Sequence, residues 1–325
     1  MKHRLVFAAL IALLLGTFGA AQAQSAVDPA LLASITQAFD QTRASTSLHI
    51  ESQQLIARES SEFAMQAQSS ASWTLAAGTA GWNLSGAQTT LTQFGDTPTE
   101  STIEYVVLDG VSYLNLDGVQ MGGGGQDAQT LPQGWFEVSA ETGDPAQTPM
   151  RGIASTENLA VQAFGGLIYP ITAESVTSVV ELPSDTIDGQ TMQVYQISLD
   201  AQFVIDSDAS ALLSIGGGMG GFAGGAPPRG DGDAAQGQPP TDAQGQPPTG
   251  DQGQPPTGDQ AIDPANVRIT FAVYIGQDDG LVHRIYSVIE IVTNRDDSSQ
   301  TTITSIHDYS AFNQPAEITA PAVGA

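Results

Sequence analysis

From Phe63 to Leu75 every second residue is apolar or small: Phe63, Met65, Ala67, Ser69, Ala71, Trp73 and Leu75. The residues between them are mostly Gln, Ser and Thr. A period of two over that length fits an extended strand with one wet and one dry face, because successive strand side chains point to opposite sides. The same alternation recurs around it. Leu48, Ile50 and Ile56 precede this strand, and Trp82 and Leu84 open the next one beyond a turn marked by Gly78 and Gly81. Ile103, Tyr105 and Val107 alternate, and Asp109-Gly110 then turns the chain into an apolar run over 111–116, a strong hairpin signal. Strands resume over 176–182 and 192–199 around Asp188-Gly189. Later Ile269, Phe271, Val273 and Ile275 alternate, Asp278-Asp279-Gly280 turns, and runs over 281–292 and 301–309 complete an antiparallel meander.

Helical spacing appears in three places. Asp28 is a good N-cap, Pro29 suits the first helical position, and Leu31, Ile35 and Phe39 follow at helical intervals. A second helix is expected over 156–165, with Leu159, Ala163, Phe164 and Leu167 on one side. A third is expected to start at Asp206 or Ser207, to include Leu212 and Leu213, and to stop at the glycines that follow. The fold class is therefore mainly β (α+β): one antiparallel sheet with two or three helices packed on one face.

At the N-terminus Lys2 and Arg4 precede an apolar stretch over 5–15 and the triplet Ala21-Gln22-Ala23. This reads as a secretory signal peptide over 1–23, cleaved after Ala23, and implies a secreted or periplasmic, extracytoplasmic location. The chain has no cysteine, which excludes disulfides, thiolate metal sites and lipid attachment through a lipobox cysteine. It has 35 acidic and 9 basic residues, and without Lys2 and Arg4 the acids face only arginines. So acidic a surface repels phosphate backbones and anionic head groups, so no nucleic-acid partner is expected and membrane contact is at most transient. A monomer is expected.

Over 216–262 the large apolar residues disappear. A glycine run gives way to the repeat GQPPTDAQ, GQPPTGDQ, GQPPTGDQ beginning at Gly237, Gly245 and Gly253. Such a segment buries too little apolar surface to offset the entropy of ordering it and reads as a disordered spacer. It divides a single domain into 24–215 and 263–325.

With the opening helix and long meander in place, three stretches carry a family resemblance: Tyr105 to Leu114 around Asp109-Gly110, Asp188-Gly189-Gln190, and the tail from Asp308 to Ile318 with Pro315. They resemble the exported LolA-like half-barrel family in its LppX/LprG-type branch, without the lipobox cysteine. The resemblance implies a strongly curved sheet, a half-barrel, with helices over its concave side and an apolar cavity for acyl chains, in proteins that carry or sense lipids and lipoproteins.

Enzyme chemistry finds no anchor in the sequence. His49, His283 and His307 lie on strands or strand ends and read as solvated or hydrogen-bonded bystanders, and His3 leaves with the signal. No nucleophile elbow, phosphate loop or His-Glu-x-x-His stretch is present. Acidic pairs such as Asp278/Asp279 are explained by turn chemistry, so neither metal nor cofactor is expected. The reading is a non-enzymatic extracytoplasmic protein that binds an apolar small molecule or lipid. Phe63, Met65, Trp73, Trp82, Ile103, Tyr105, Phe271 and Val273 are the residues expected to line its cavity. The alternative is a structural or interaction module of the cell envelope in which the same residues close a filled core.

Overall fold

The computed structural model describes residues 27–60, 64–79, 81–94, 97–117, 134–138, 159, 162–207, 263–293 and 299–323. The segment read as a signal peptide, the repeat-bearing segment and Phe63 lie outside them.

Eleven strands form one antiparallel sheet in the order β6-β5-β4-β3-β2-β1-β11-β10-β9-β8-β7. In chain order they are β1 Ser47–Glu59, β2 Ala64–Gly78, β3 Gly81–Phe94, β4 Thr97–Leu108, β5 Val111–Asn115, β6 Trp135–Val138, β7 Val176–Ile187, β8 Gln190–Leu199, β9 Val267–Gly276, β10 Val282–Thr293 and β11 Ser299–Ser310. Two meanders are joined where the first strand pairs with the last, Ile50 opposite Tyr309 and Ile56 opposite Ile303. Strands β6 and β7 are the edges, so the sheet is open and half-barrel-like. Register shifts between Val176 and Ser178, Leu182 and Asp185, and Val282 and Arg284 bend the β7 to β10 wing.

The two hairpin turns read from the sequence are present. Asp109 and Gly110 have φ of 49° and 85°, and Asp188 and Gly189 have 50° and 85°. Two successive positive φ angles give the turn whose twist matches that of paired strands. Helix α1, Pro29–Arg43, starts where expected, with the Asp28 carboxylate accepting from the Ala30 amide. It buries Leu32, Ile35, Ala38, Phe39 and Thr42 against the sheet. Thr42 fixes the contact, because its hydroxyl accepts from the Val282 amide at 2.8 Å while donating to the Ala38 carbonyl.

A short helix that the sequence reading did not include, α2, spans Ala201–Ile205 and starts from Asp200, whose carboxylate accepts from the Phe203 amide at 3.0 Å. Asp206 is its C-cap. Asp200 directly follows the buried end of β8 and captures the first free amides of this turn. The third expected helix, with Leu212 and Leu213, lies outside the described residues. Of the second expected helix, Leu159 and 162–164 are described as helical, followed by a 3-10 turn over Gly165–Ile168. No helix among the described residues is long and apolar enough to cross a membrane.

The main core lies on one face of the sheet, between it, α1 and the segment 159–171. Each large apolar side chain it buries contributes about 1.5–3 kcal/mol. Strands β8 to β10 also bury Met192, Val194, Ala272 and Tyr286 on the opposite face. This second, smaller core accounts for the unbroken apolar run from Phe271 to Ile275 in β9, where both faces are covered.

Candidate ligand site on the concave face

The covered face of the sheet can be read in rows from the strand register. One row runs Trp73, Ile50, Tyr309 across β2, β1 and β11. Two rows further along runs the polar row Thr90, Ser69, Gln54, Ser305, Ser287, ending at Phe271. Between these two lies Gln88, Ala71, Ser52, His307, ending at Ile285. The row beyond is apolar again: Ala67, Ile56, Ile303, Ile289, Ile269. A stripe of hydroxyl, amide and imidazole groups therefore crosses an otherwise apolar floor. Ser69, Ser287, Ser305 and His307 in it are buried.

A strap over 162–175 lies above this stripe. Trp82 of β3 meets Phe164 edge to face at 5.3 Å on one side, and Phe271 of β9 stacks on Tyr169 at 5.6 Å on the other. In the middle the Tyr309 hydroxyl donates to the Phe164 carbonyl at 2.8 Å. Helix α1 holds the far end, with the Thr36 hydroxyl donating to Ile171 O at 2.9 Å. Gly165 has φ of 51° and sits directly on His307, where an added Cβ would lie 2.1 Å from Nε2. An added Cβ at Gly166 would lie 2.6 Å from Ile285. Only glycines let the strap come this close to the floor.

Strap and stripe enclose a cavity of about 40 Å³, lined by Trp73, Gln162, Tyr169, Ser287, Ser305 and His307 among others. It is partly solvent-accessible on the side of half-buried Ser52, Gln54 and Gln88. The lining contains four buried polar atoms without a hydrogen-bond partner among the described residues: Trp73 Nε1, Gln162 Oε1, Tyr169 OH and His307 Nδ1. Burial alone pushes the Tyr169 hydroxyl pKa well up and His307 down to about 4, so at neutral pH both are uncharged. Ser287 and Ser305 satisfy each other at 2.6 Å. Buried polar atoms are almost always paired, so four orphans around one space mark a site. A larger, open depression of about 800 Å³ borders α1 and 171–173. Its described lining is largely exposed and includes none of the unpartnered atoms, so the chemistry points to the smaller space.

The residues expected from the sequence to line a cavity separate into groups. Trp73 borders the cavity and packs on Tyr105 at 5.4 Å. Tyr105, Phe271 and Val273 are buried in the surrounding packing at 0–1% exposure, with Phe271 under the strap. Trp82 anchors the strap, Ile103 is half-buried against the core, and Met65 is half-buried towards the far end of β2. His307, Gln162 and Tyr169 were missed. His49 and His283 are bonded to Glu51 and Asp279 at 2.8 and 2.9 Å.

No family model and no curated protein sequence matches the chain. The solved structures it is similar to include LprF from Mycobacterium bovis, 13% identical with a TM-score of 0.39, covering 92% of this chain and 100% of that one. They also include the Mycobacterium tuberculosis lipoprotein LppX, 14% identical with a TM-score of 0.35, covering 90% and 100%. The likeness is one of fold alone.

Proposed function

We propose that this chain is an exported, non-catalytic binding protein that takes up an apolar ligand between the concave face of its sheet and the strap. The observation that carries this reading is the kind of cover the apolar face has. Among the described residues no backbone ladder joins 162–171 to the sheet; aromatic contacts and side-chain bonds to carbonyls hold it instead. Such a cover separates from the floor without breaking any strand pairing, which is what a lid over a binding face requires. Lifting it uncovers Trp73 and Phe271, two of the residues assigned to the cavity wall.

A second reading has a specific observation in its favour. In the closed arrangement Trp73, Tyr105, Phe271 and Val273 are packed, and about 40 Å³ is far below the few hundred Å³ of a lipid-tail site. This is what a filled structural module of the cell envelope would present. Titration with a polarity-sensitive fluorescent acyl probe separates the two. Saturable uptake, competed by unlabelled acyl esters and weakened by Phe271→Asp in a folded variant, is expected of the binding protein. Absence of uptake at every probe concentration leaves the filled module.

A further inference from the structure

We propose that the cavity beneath the strap is a subsite for the uncharged, hydroxyl-bearing head of an amphiphile, held by Trp73, Gln162, Tyr169 and His307. This deepens the apolar-ligand reading and rests on it. The four groups converge on one space, and each is buried without a partner. Their hydrogen-bonding capacities define the occupant. The Trp73 indole N–H only donates, so the occupant must accept. The Gln162 oxygen only accepts, so the occupant must also donate. The Tyr169 hydroxyl and His307 Nδ1 take either role. A hydroxyl meets both demands, an ester or ether meets one, and a hydrocarbon meets neither.

Charge and size narrow it further. No cationic or anionic side chain is among the described residues lining the cavity, and a desolvated ionic head would have no counter-charge. A space of about 40 Å³ admits roughly three water-sized groups, which is the scale of a glycerol head with its free hydroxyls. The polar stripe leads from this point through Ser52 and Gln54, while the apolar rows on either side offer the surface an acyl chain would follow.

The experiment compares 1-monopalmitoylglycerol with methyl palmitate, two esters with the same chain, as competitors for the fluorescent acyl probe. The hydroxyl-bearing ester is expected to compete about tenfold better, the scale of one well-made hydrogen bond. Tyr169→Phe removes a single oxygen. It should erase most of that preference and keep or raise the unfolding midpoint of the ligand-free protein. Equal competition by the two esters in wild type means that the cavity holds ordered water only, and overturns the subsite while the apolar reading stands. A lowered midpoint in Tyr169→Phe means the hydroxyl is already satisfied, and overturns it too. If neither ester nor probe binds, the apolar reading falls and takes the subsite with it.

Discussion

His307 shows what a residue's surroundings can do to an ordinary titration. It lies on the dry face of β11 between Ser305 and Tyr309, with Gly165 pressed on its ring, and its pKa is lowered by burial to about 4. The folded protein holds it neutral, whereas the unfolded chain protonates it near the usual 6.5. Its contribution is complete above pH 6.5 and is lost as pH falls from there to about 4, at a cost of about 3 kcal/mol. Unfolding midpoints across that window should therefore fall less steeply for His307→Gln than for wild type; coincident profiles would show that the ring reaches solvent or a partner. Trp73 and Phe271 give a second test. Both are fully buried, so truncation to Ala should cost about 3–5 kcal/mol in denaturant unfolding, against at most about 0.5 kcal/mol for exposed Gln68→Ala. The dry parity of β1, β2, β3, β4 and β9 was legible in the alternation, with Ser69 a polar exception on it, whereas the parity of Ser52, Gln54, Ser287, Ser305 and His307 emerged only from the strand register. That these residues line up was not legible, because their alignment depends on pairing between the first and last strands, which no local pattern encodes.

At the scale of elements, strands and hairpins followed from alternation and from Asp-Gly turns, whereas the strap did not. Its apolar residues suggested a helix over 156–165, but the feature that matters is the Gly165-Gly166 pair, which ends the helical turn and lets the backbone touch His307 and Ile285. Nothing along the chain distinguishes such glycines from ordinary helix stops, since the demand comes from a surface distant in sequence. The short β6, Trp135–Val138, was likewise missed, because four residues are too few to show a period. Gly165→Ala tests the strap directly. The methyl group combines a positive φ with a clash against the imidazole, so stability should fall by about 1–3 kcal/mol. A strap held off the floor should also admit the acyl probe faster. Lower stability with an unchanged association rate in stopped-flow mixing would show that the strap does not gate access.

At the scale of the molecule, one open sheet is assembled from two meanders, and the acidic repeat interrupts the second of them. The interruption sits between α2, which ends at Ile205, and the 3-10 turn Pro264–Asn266, and these two elements lie against each other. The described segments on either side of 208–262 therefore end and resume at neighbouring points, next to the paired strands β8 and β9. A short linker has no distance to bridge there. If 216–262 makes no contribution of its own to burial, as its composition implies, replacing it with about six Gly and Ser residues shortens the closed loop by about three halvings. Each halving returns about 0.6 kcal/mol of closure entropy. The unfolding midpoint should then stay level or rise by a few degrees, with uptake of the acyl probe unchanged. A midpoint several degrees lower would mean that the insert packs on the sheet, and the domain would no longer be defined by the two flanking segments alone. Unchanged stability with lost uptake would instead place part of the insert at the binding face.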